Sequence, residues 1–443
     1  MRRGVAYAIG CLRRVTATHY HVVMISVRLP LALAAALSLA ACATAPSSPP
    51  VASAATVARS VPAQQQKLLL ISIDGLRADM LDRGITPNIS RLVHEGVRAQ
   101  WMTPSYPALT FPNHYTIVTG LRPNHHGIIH NSMHEDALGR FQLHVRESVA
   151  DSRWWGGEPI WVGAEKAGVR TAVWSWPGSE AAIQGIRPSQ MHGYDETVTL
   201  PDRVDQVLGW LDQHGPQAPR LVTLYMEQVD KAGHNHGPES HEYAAAVALA
   251  DGAVGRLLDG LQARGLAEAT NVILVSDHGM AGVPDGQVVA TEDMIDPAIA
   301  EDISVGQSIG FAPLPGKQAQ AEQILLGAHA QYDCWTRQTL PARWKYGSNP
   351  RIPPIVCQMH EGWDALTRER IAKRGPGDRG SHGYDNALPS MRAVFAARGP
   401  AFKQGQTLPP FDNVDVYPLL TRLLGIPAAP NDGDAERLLP ALR

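Results

Sequence analysis

Six side chains able to bind a divalent cation recur in similar settings along this chain: Asp74, Asp230, His234, Asp277, His278 and His382. Each follows an apolar run or lies between glycines. Residues 67–75 read K-L-L-L-I-S-I-D-G and residues 271–279 read N-V-I-L-V-S-D-H-G, so an aspartate ends both runs. Carboxylate and imidazole donors without thiolate suit Zn²⁺ or a similar ion. Six donors serve two cations at three apiece, which leaves each cation the open position that catalytic sites require. Two divalent cations bring four positive charges, of which three aspartates cancel three. A nearby alkoxide cancels the fourth, so such a pair can ionise a hydroxyl at neutral pH. Cations about 4 Å apart also stabilise the oxygens of a phosphoryl group together. His236 competes with His234, because H-N-H leaves either ring available.

The hydroxyl comes from residues 105–120, S-Y-P-A-L-T-F-P-N-H-Y-T-I-V-T-G. Pro112 suits the first turn of a helix, where a missing N–H costs nothing. The spacing therefore predicts Thr110 at the N-cap, beside free backbone N–H groups and the positive helix end. That setting favours an anion, alkoxide or phosphate. The following stretch, residues 121–131, reads as a polar loop whose His125, His126 and His130 are solvated or support the site from behind.

Positioning these groups is the work of the apolar runs. Residues 67–75, 168–174, 220–227, 271–279 and 392–397 read as strands, and runs this apolar belong in a sheet buried on both faces. Residues 86–96, 202–211, 242–263 and 414–424 have helical spacing between them. The alternation predicts an α/β sandwich with a central, mostly parallel sheet flanked by helices. In open sheets of this kind ligands collect at the carboxyl ends of the strands, where Asp74, Asp230 and Asp277 fall. Residues 283–374 lose the pattern and are rich in proline, so they read as an inserted cap or subdomain within a catalytic domain spanning residues 67–443.

Composition bounds the function. The chain has 443 residues, 44% of them hydrophobic, and 39 basic against 42 acidic side chains. The near balance argues against a nucleic-acid-binding surface. Residues 1–42 read as an export signal: an apolar stretch at 29–41 follows Arg28 and ends in L-A-A-C, similar to the bacterial lipoprotein signal in which the cysteine, here Cys42, is lipidated. Met24 is a plausible true start. Residues 43–66, rich in Ala, Pro and Ser, read as a flexible tether. A periplasmic or outer-membrane-anchored protein is expected. Cys334 and Cys357 remain outside the targeting segment, and an even pair in an exported chain suggests a disulfide closing a loop of 22 residues.

The blocks I-S-I-D-G-L-R, T-F-P-N-H-Y-T-I-V-T-G, H-G-I-I-H-N, Y-M-E-Q-V-D-K-A-G-H-N-H-G-P, V-S-D-H-G-M and G-S-H-G-Y-D-N, in this order, resemble the nucleotide pyrophosphatase/phosphodiesterase family of the alkaline phosphatase superfamily. The resemblance implies Thr110 as a nucleophile forming a covalent intermediate. It implies two zinc ions, one held by Asp230, His234 and His382 and the other by Asp74, Asp277 and His278, with Thr110 near both. It prefers His234 to His236, four residues after the aspartate. Asn131 would donate to a non-bridging phosphate oxygen. Phe111 and Tyr194 would sandwich a nucleobase, with Trp176 and Tyr225 lining the same pocket; ordinary core packing is the competing reading for these aromatics, for Tyr225 above all. The implied reaction is hydrolysis of nucleotide diester or pyrophosphate bonds to nucleoside 5'-monophosphates. A phosphodiesterase of lysophospholipids or glycerophosphodiesters is the alternative on the same site, and a non-catalytic zinc-binding lipoprotein is the alternative without chemistry.

Overall fold

Leu68 and Leu70 enter one hydrophobic core, whereas Leu69, Ile71 and Ile73 enter another. Alternate side chains of one strand thus bury on opposite faces, which is why the run carries almost no polar residue. The structure is a computed structural model describing residue 62 and residues 65–443. The export signal and nearly all of the tether read from the sequence lie outside the described residues. Among those described, no helix is long and apolar enough to cross a membrane.

The central sheet has eight strands: β1 (Lys67–Ile73), β2 (Val97–Ala99), β3 (Thr171–Trp174), β4 (Gln190–His192), β5 (Leu221–Met226), β6 (Thr270–Val275), β7 (Phe395–Arg398) and β8 (Gln406–Leu408). Their order is β8-β2-β7-β6-β1-β5-β3-β4. Strands β6, β1, β5, β3 and β4 run parallel, and β7 is antiparallel to both of its neighbours. The fold is therefore α/β with a mostly parallel sheet. Strands β2, β4 and β8 were not legible in the sequence; at three residues each they are too short to show a period.

Six helices matter for the site: α1 (Pro87–His94), α2 (Thr110–Thr119), α3 (Leu200–Leu211), α4 (Gln228–His236), α5 (His241–Ala263) and α6 (Val416–Leu424). Apolar residues of α3 and α5, among them Val204, Leu208, Val254 and Leu257, close the face that carries Leu69 and Ile71. Helices α2 and α6 close the other face, with Ile117, Val118 and Leu420 in the same core as Leu68 and Leu70. Every residue of α2 from Phe111 to Thr119 is buried. A wholly buried helix cannot drift along its axis, so its first residue is held firmly in place.

The segment read from sequence as a loosened insert contains a five-stranded antiparallel sheet, Ala300–Ser304, Ser308–Pro313, Ile355–Met359, Tyr332–Thr336 and Gly327–Ala328 in spatial order. Cys334 and Cys357 face each other directly across one of its ladders and form a disulfide. The polar loop expected at 121–131 instead contains a short helix, Pro123–His126, and a hairpin follows it, Ser132–Glu135 with Gly139–Gln142. His126 and His130 are buried rather than solvated, and His125 alone stays open, paired with Asp432.

Candidate dinuclear metal centre at the carboxyl edge of the sheet

Parallel pairing of β1 with β5 and β6 aligns three strand ends, so the residues that follow them converge. Asp74 follows β1, Asp277 and His278 follow β6, and Asp230 opens the first turn of α4 just beyond β5. The turn after Asp74 is tight. Gly75 has φ +68°, and a β-carbon there would stand 3.0 Å from the Cα and Cβ of Asp230. Only glycine admits both that conformation and that approach. Its N–H donates to Asp277 Oδ1 at 3.1 Å, tying the third strand end to the first.

The carboxylates are half satisfied. Asp277 spends Oδ1 on Gly75, and Asp74 spends Oδ2 on the Tyr225 hydroxyl at 2.6 Å. Asp74 Oδ1, Asp277 Oδ2 and Asp230 Oδ1 are buried without a hydrogen-bond donor. Buried carboxylate oxygens left unpaired are costly, and a cation is the usual remedy. Burial, with Asp277 and Asp230 close by, pushes the Asp74 carboxyl well up from its ordinary range. Burial would raise Asp277 too, but His278 and His114 outweigh it and hold that carboxyl well down. Burial lowers His278, and Asp277 more than reverses this, so its pKa is raised.

The histidines carry the complementary signal. His234 Nδ1 bonds to the Gly380 carbonyl at 3.0 Å, His382 Nδ1 to the Ala108 carbonyl at 3.0 Å and His278 Nδ1 to the Gly279 carbonyl at 2.9 Å. A carbonyl only accepts, so each Nδ1 carries a proton, and in the neutral ring Nε2 is then the atom free to bind a cation. The Nε2 atoms of His234 and His382 then face each other at 3.0 Å, lone pair to lone pair. Asp230 completes the group, at 3.5 Å from His234 and 3.4 Å from His382. Metal-binding histidines are oriented by just such backbone bonds.

Asp230, His234 and His382 thus form one donor triad, all within 4.8 Å of one another. His278 Nε2 lies 2.8 Å from Asp277 Oδ2 and 3.6 Å from Asp74 Oδ1, which gathers the second set. Asp74 also groups with Asp230 and His278, so the two sets adjoin. The donor chemistry fits divalent-cation binding. His236 is exposed and outside both sets, whereas His234 lies within the first.

Thr110 Oγ1 stands 3.3 Å from His278 Nε2, at the edge of the second set. Its expected N-cap position needs correction: Leu109 is the N-cap, with extended backbone, and Thr110 is the first helical residue. A threonine at the cap would spend its hydroxyl on a backbone N–H, whereas here the hydroxyl is turned towards His278. The loop leading to it is clamped by Asn113, whose amide donates to Pro107 and Leu109 carbonyls at 2.9 Å and accepts from Ser105 N–H and Asn413 Nδ2 at 2.8 Å.

Sequence reasoning missed His114. It groups with Asp74 and Asp277, yet both its nitrogens are engaged, Nε2 with Ser72 Oγ at 2.8 Å and Nδ1 with the Thr110 carbonyl at 2.9 Å. His114 therefore steadies Thr110 from one helical turn away. The only sequence signal was its position, four residues after the threonine.

A cavity of about 580 Å³ opens over the site, lined by Thr110, Asn131, Asp74, Asp230, His234 and His382. Asn131 Oδ1 accepts from the Phe111 N–H at 3.0 Å, which leaves its NH₂ as a donor. Phe111, Trp176, Tyr194 and Tyr225 line the same cavity. Tyr194 is the open member at 43% exposure. Trp176 is 1% exposed and its indole donates to the His114 carbonyl at 3.0 Å, so it is as much support as lining. Tyr225 is pinned by its bond to Asp74 rather than by core packing alone.

An open parallel sheet with carboxylate and imidazole donors around a helix-borne hydroxyl, at its carboxyl edge, is the architecture of the alkaline phosphatase superfamily. Residues 68–385 match the family model for type I phosphodiesterase/nucleotide pyrophosphatase. An uncharacterized pyrophosphatase/phosphodiesterase of Schizosaccharomyces pombe is 37% identical over 398 residues, covering 86% of this chain and 81% of that protein. Ectonucleotide pyrophosphatase/phosphodiesterase family member 3 of Bos taurus is 36% identical over 384 residues, covering 83% of this chain. The chain spans less than half of that bovine protein, 43%. Among solved structures, murine ectonucleotide pyrophosphatase/phosphodiesterase 5, in an inactive threonine-to-alanine form bound to AMP, superposes with a TM-score of 0.80 at 32% identity, over 85% of this chain and all of that one. This chain belongs to the type I phosphodiesterase/nucleotide pyrophosphatase family.

Proposed function

We propose that the protein is a zinc-dependent nucleotide pyrophosphatase/phosphodiesterase working through a covalent threonine intermediate and releasing nucleoside 5'-monophosphates. One observation carries this reading: the Asp230, His234 and His382 donors adjoin the unpaired oxygens of Asp74 and Asp277, and the Thr110 hydroxyl stands 3.3 Å from His278 Nε2 at their edge. Asp230, His234 and His382 would hold one cation and Asp74, Asp277 and His278 the other. Bound there, the cations supply Lewis-acid neutralisation of phosphoryl oxygens and ease ionisation of the hydroxyl.

Thr110 gives up its proton to solvent and attacks phosphorus, and the leaving oxygen departs on the opposite side, past His234 and His382. Asn131, its orientation set by the Phe111 N–H, donates to a non-bridging oxygen. Phe111 and the open Tyr194 ring hold the base, with tolerance for base identity because every base has a π face. Water then attacks the threonyl phosphodiester, freeing Thr110 and the nucleoside monophosphate. The AMP and the inactivating threonine change of the murine neighbour support both the substrate class and the nucleophile. The Cys334–Cys357 disulfide supports an oxidising compartment, and with it export, while attachment through Cys42 rests on the L-A-A-C sequence alone.

Thr110→Ala is expected to reduce hydrolysis of thymidine 5'-monophosphate p-nitrophenyl ester at least about 10³-fold while zinc content stays near two per chain. Full activity in that variant refutes the mechanism. Faster turnover of p-nitrophenyl phosphorylcholine by the unaltered protein would favour the lipid head-group alternative. Zinc binding without turnover of either ester would favour the non-catalytic one.

A further inference from the structure

Tyr194, the open ring of the catalytic cavity, belongs to no helix or strand: β4 ends at His192 and α3 begins at Leu200. A ring on such a connection keeps one place only if its backbone is fastened. Ser175, itself at φ +54°, donates its hydroxyl to the Gly193 carbonyl at 2.9 Å, and the Tyr194 N–H donates to Glu180 Oε1 at 3.2 Å. Beyond the ring the fastening falls to Arg203, buried on the first turn of α3. Its Nε donates to the Val198 carbonyl at 2.9 Å and its Nη2 to the Asp195 carbonyl at 3.2 Å. Nη2 also reaches Glu227 Oε1 at 2.8 Å, while Nη1 reaches Glu227 Oε2 at 2.5 Å and the Tyr225 carbonyl at 3.3 Å. A guanidinium has five N–H donors, and all are spent here, two on the Tyr194 segment and three on the end of β5.

Glu227 directly follows β5 and lines the catalytic cavity, just ahead of the donor Asp230. Arg203 therefore ties the aromatic side of the cavity to the strand end that leads into the carboxylate and imidazole cluster. Lys231 with Glu196, at 2.8 Å, bridges the same two parts, but both side chains are exposed and such pairs contribute little. A buried ion pair adds little net stability over apolar packing, so what the Arg203–Glu227 pair supplies is geometry, a planar fork with fixed donor directions. We propose that Arg203 is a positioning residue for nucleotide binding: it sets the Tyr194 ring relative to the donor cluster, so that base and phosphoryl group are engaged together. This rests on Tyr194 as the base-stacking ring and adds what holds that ring in place.

The test uses the ratio of kcat/KM for thymidine 5'-monophosphate p-nitrophenyl ester to that for methyl p-nitrophenyl phosphate, a diester without a base. General damage to the cation site lowers both and cancels. Arg203→Lys keeps the buried charge opposite Glu227 but replaces the five-donor fork by three donors on one atom, so the loop carbonyls lose theirs. The ratio should fall at least fivefold, and a smaller change overturns the proposal. Should that variant not fold, Arg203→Met with Glu227→Met removes the buried pair as a whole, a change often neutral for stability, and carries the same expectation and the same limit. AMP binding to the zinc-loaded Thr110→Ala protein, measured by calorimetry, needs no turnover; adding Arg203→Lys should weaken it at least fivefold, and a smaller loss overturns the proposal. In a Tyr194→Ala background Arg203→Lys should change the ratio less than twofold, and a larger effect means that it does not act through the ring. Tyr194→Ala without effect on the ratio refutes the base-stacking reading and the proposal with it; an effect there with none in Arg203→Lys refutes the positioning role alone.

Discussion

Replacing Gly75 by alanine isolates how much the site depends on one backbone turn. Two separate effects follow from the geometry. At φ +68° an L-residue incurs about 1–2 kcal/mol of backbone strain, lowering stability by that amount. The added β-carbon also meets the Cα and Cβ of Asp230 at 3.0 Å and its Oδ1 at 3.1 Å, so Asp230 must retreat by a few tenths of an ångström. The same shift disturbs the Gly75 N–H that fixes Asp277. Loss of orienting contacts of this kind weakens metal binding by about 10–100-fold. Gly84→Ala provides the control, since Gly84 has φ +75° but nothing within 4 Å of its added carbon. Gly84→Ala should shift the urea midpoint by the backbone strain alone and Gly75→Ala by at least as much, whereas only Gly75→Ala should lose zinc affinity in a chelator competition. Equal zinc affinity in the two variants would refute the reasoning.

Asn131→Ala removes the donor aimed into the cavity and should lower kcat by about 10²–10³-fold with little change in KM; a loss under threefold counts against that role. The second expectation concerns pH. Burial holds His126 down to about 3 and His130 to about 4, both neutral in the fold. As pH falls from about 6.5 towards 4 the unfolded chain takes up protons that the fold refuses, so stability falls, by about 1.4 kcal/mol per pH unit for each histidine. Urea unfolding of His126→Gln across that range should show a shallower pH slope than the unaltered protein, and equal slopes would contradict the assignment.

The strand-end clusters were legible because ligands of a parallel sheet must follow apolar runs, and Asp74, Asp230 and Asp277 do so in plain view. The triads themselves came from the family resemblance; strand pairing then gave them geometry through contacts such as Gly75 with Asp277, 202 positions apart. Thr110 was misplaced by one residue because capping propensity is local, whereas its hydroxyl answers to His278, 168 residues away in sequence. Asn113 was invisible for a similar reason, since its partner Asn413 lies 300 residues on. The second sheet escaped notice because strands such as Tyr332–Thr336 are only partly buried, so their apolar residues do not alternate cleanly. His126 and His130 looked polar in sequence, yet each finds hydrogen bonds inside the core, His126 with Thr116 Oγ1 and His130 with the Ser308 carbonyl.

Anomalous diffraction at the zinc absorption edge, on crystals of the zinc-loaded protein, addresses the central claim most directly. Two peaks are expected, one at about 2.0–2.2 Å from Asp230 and the Nε2 atoms of His234 and His382, the other likewise from Asp74, Asp277 and His278. A single peak, binding through Nδ1, or zinc remote from Thr110 would contradict the account.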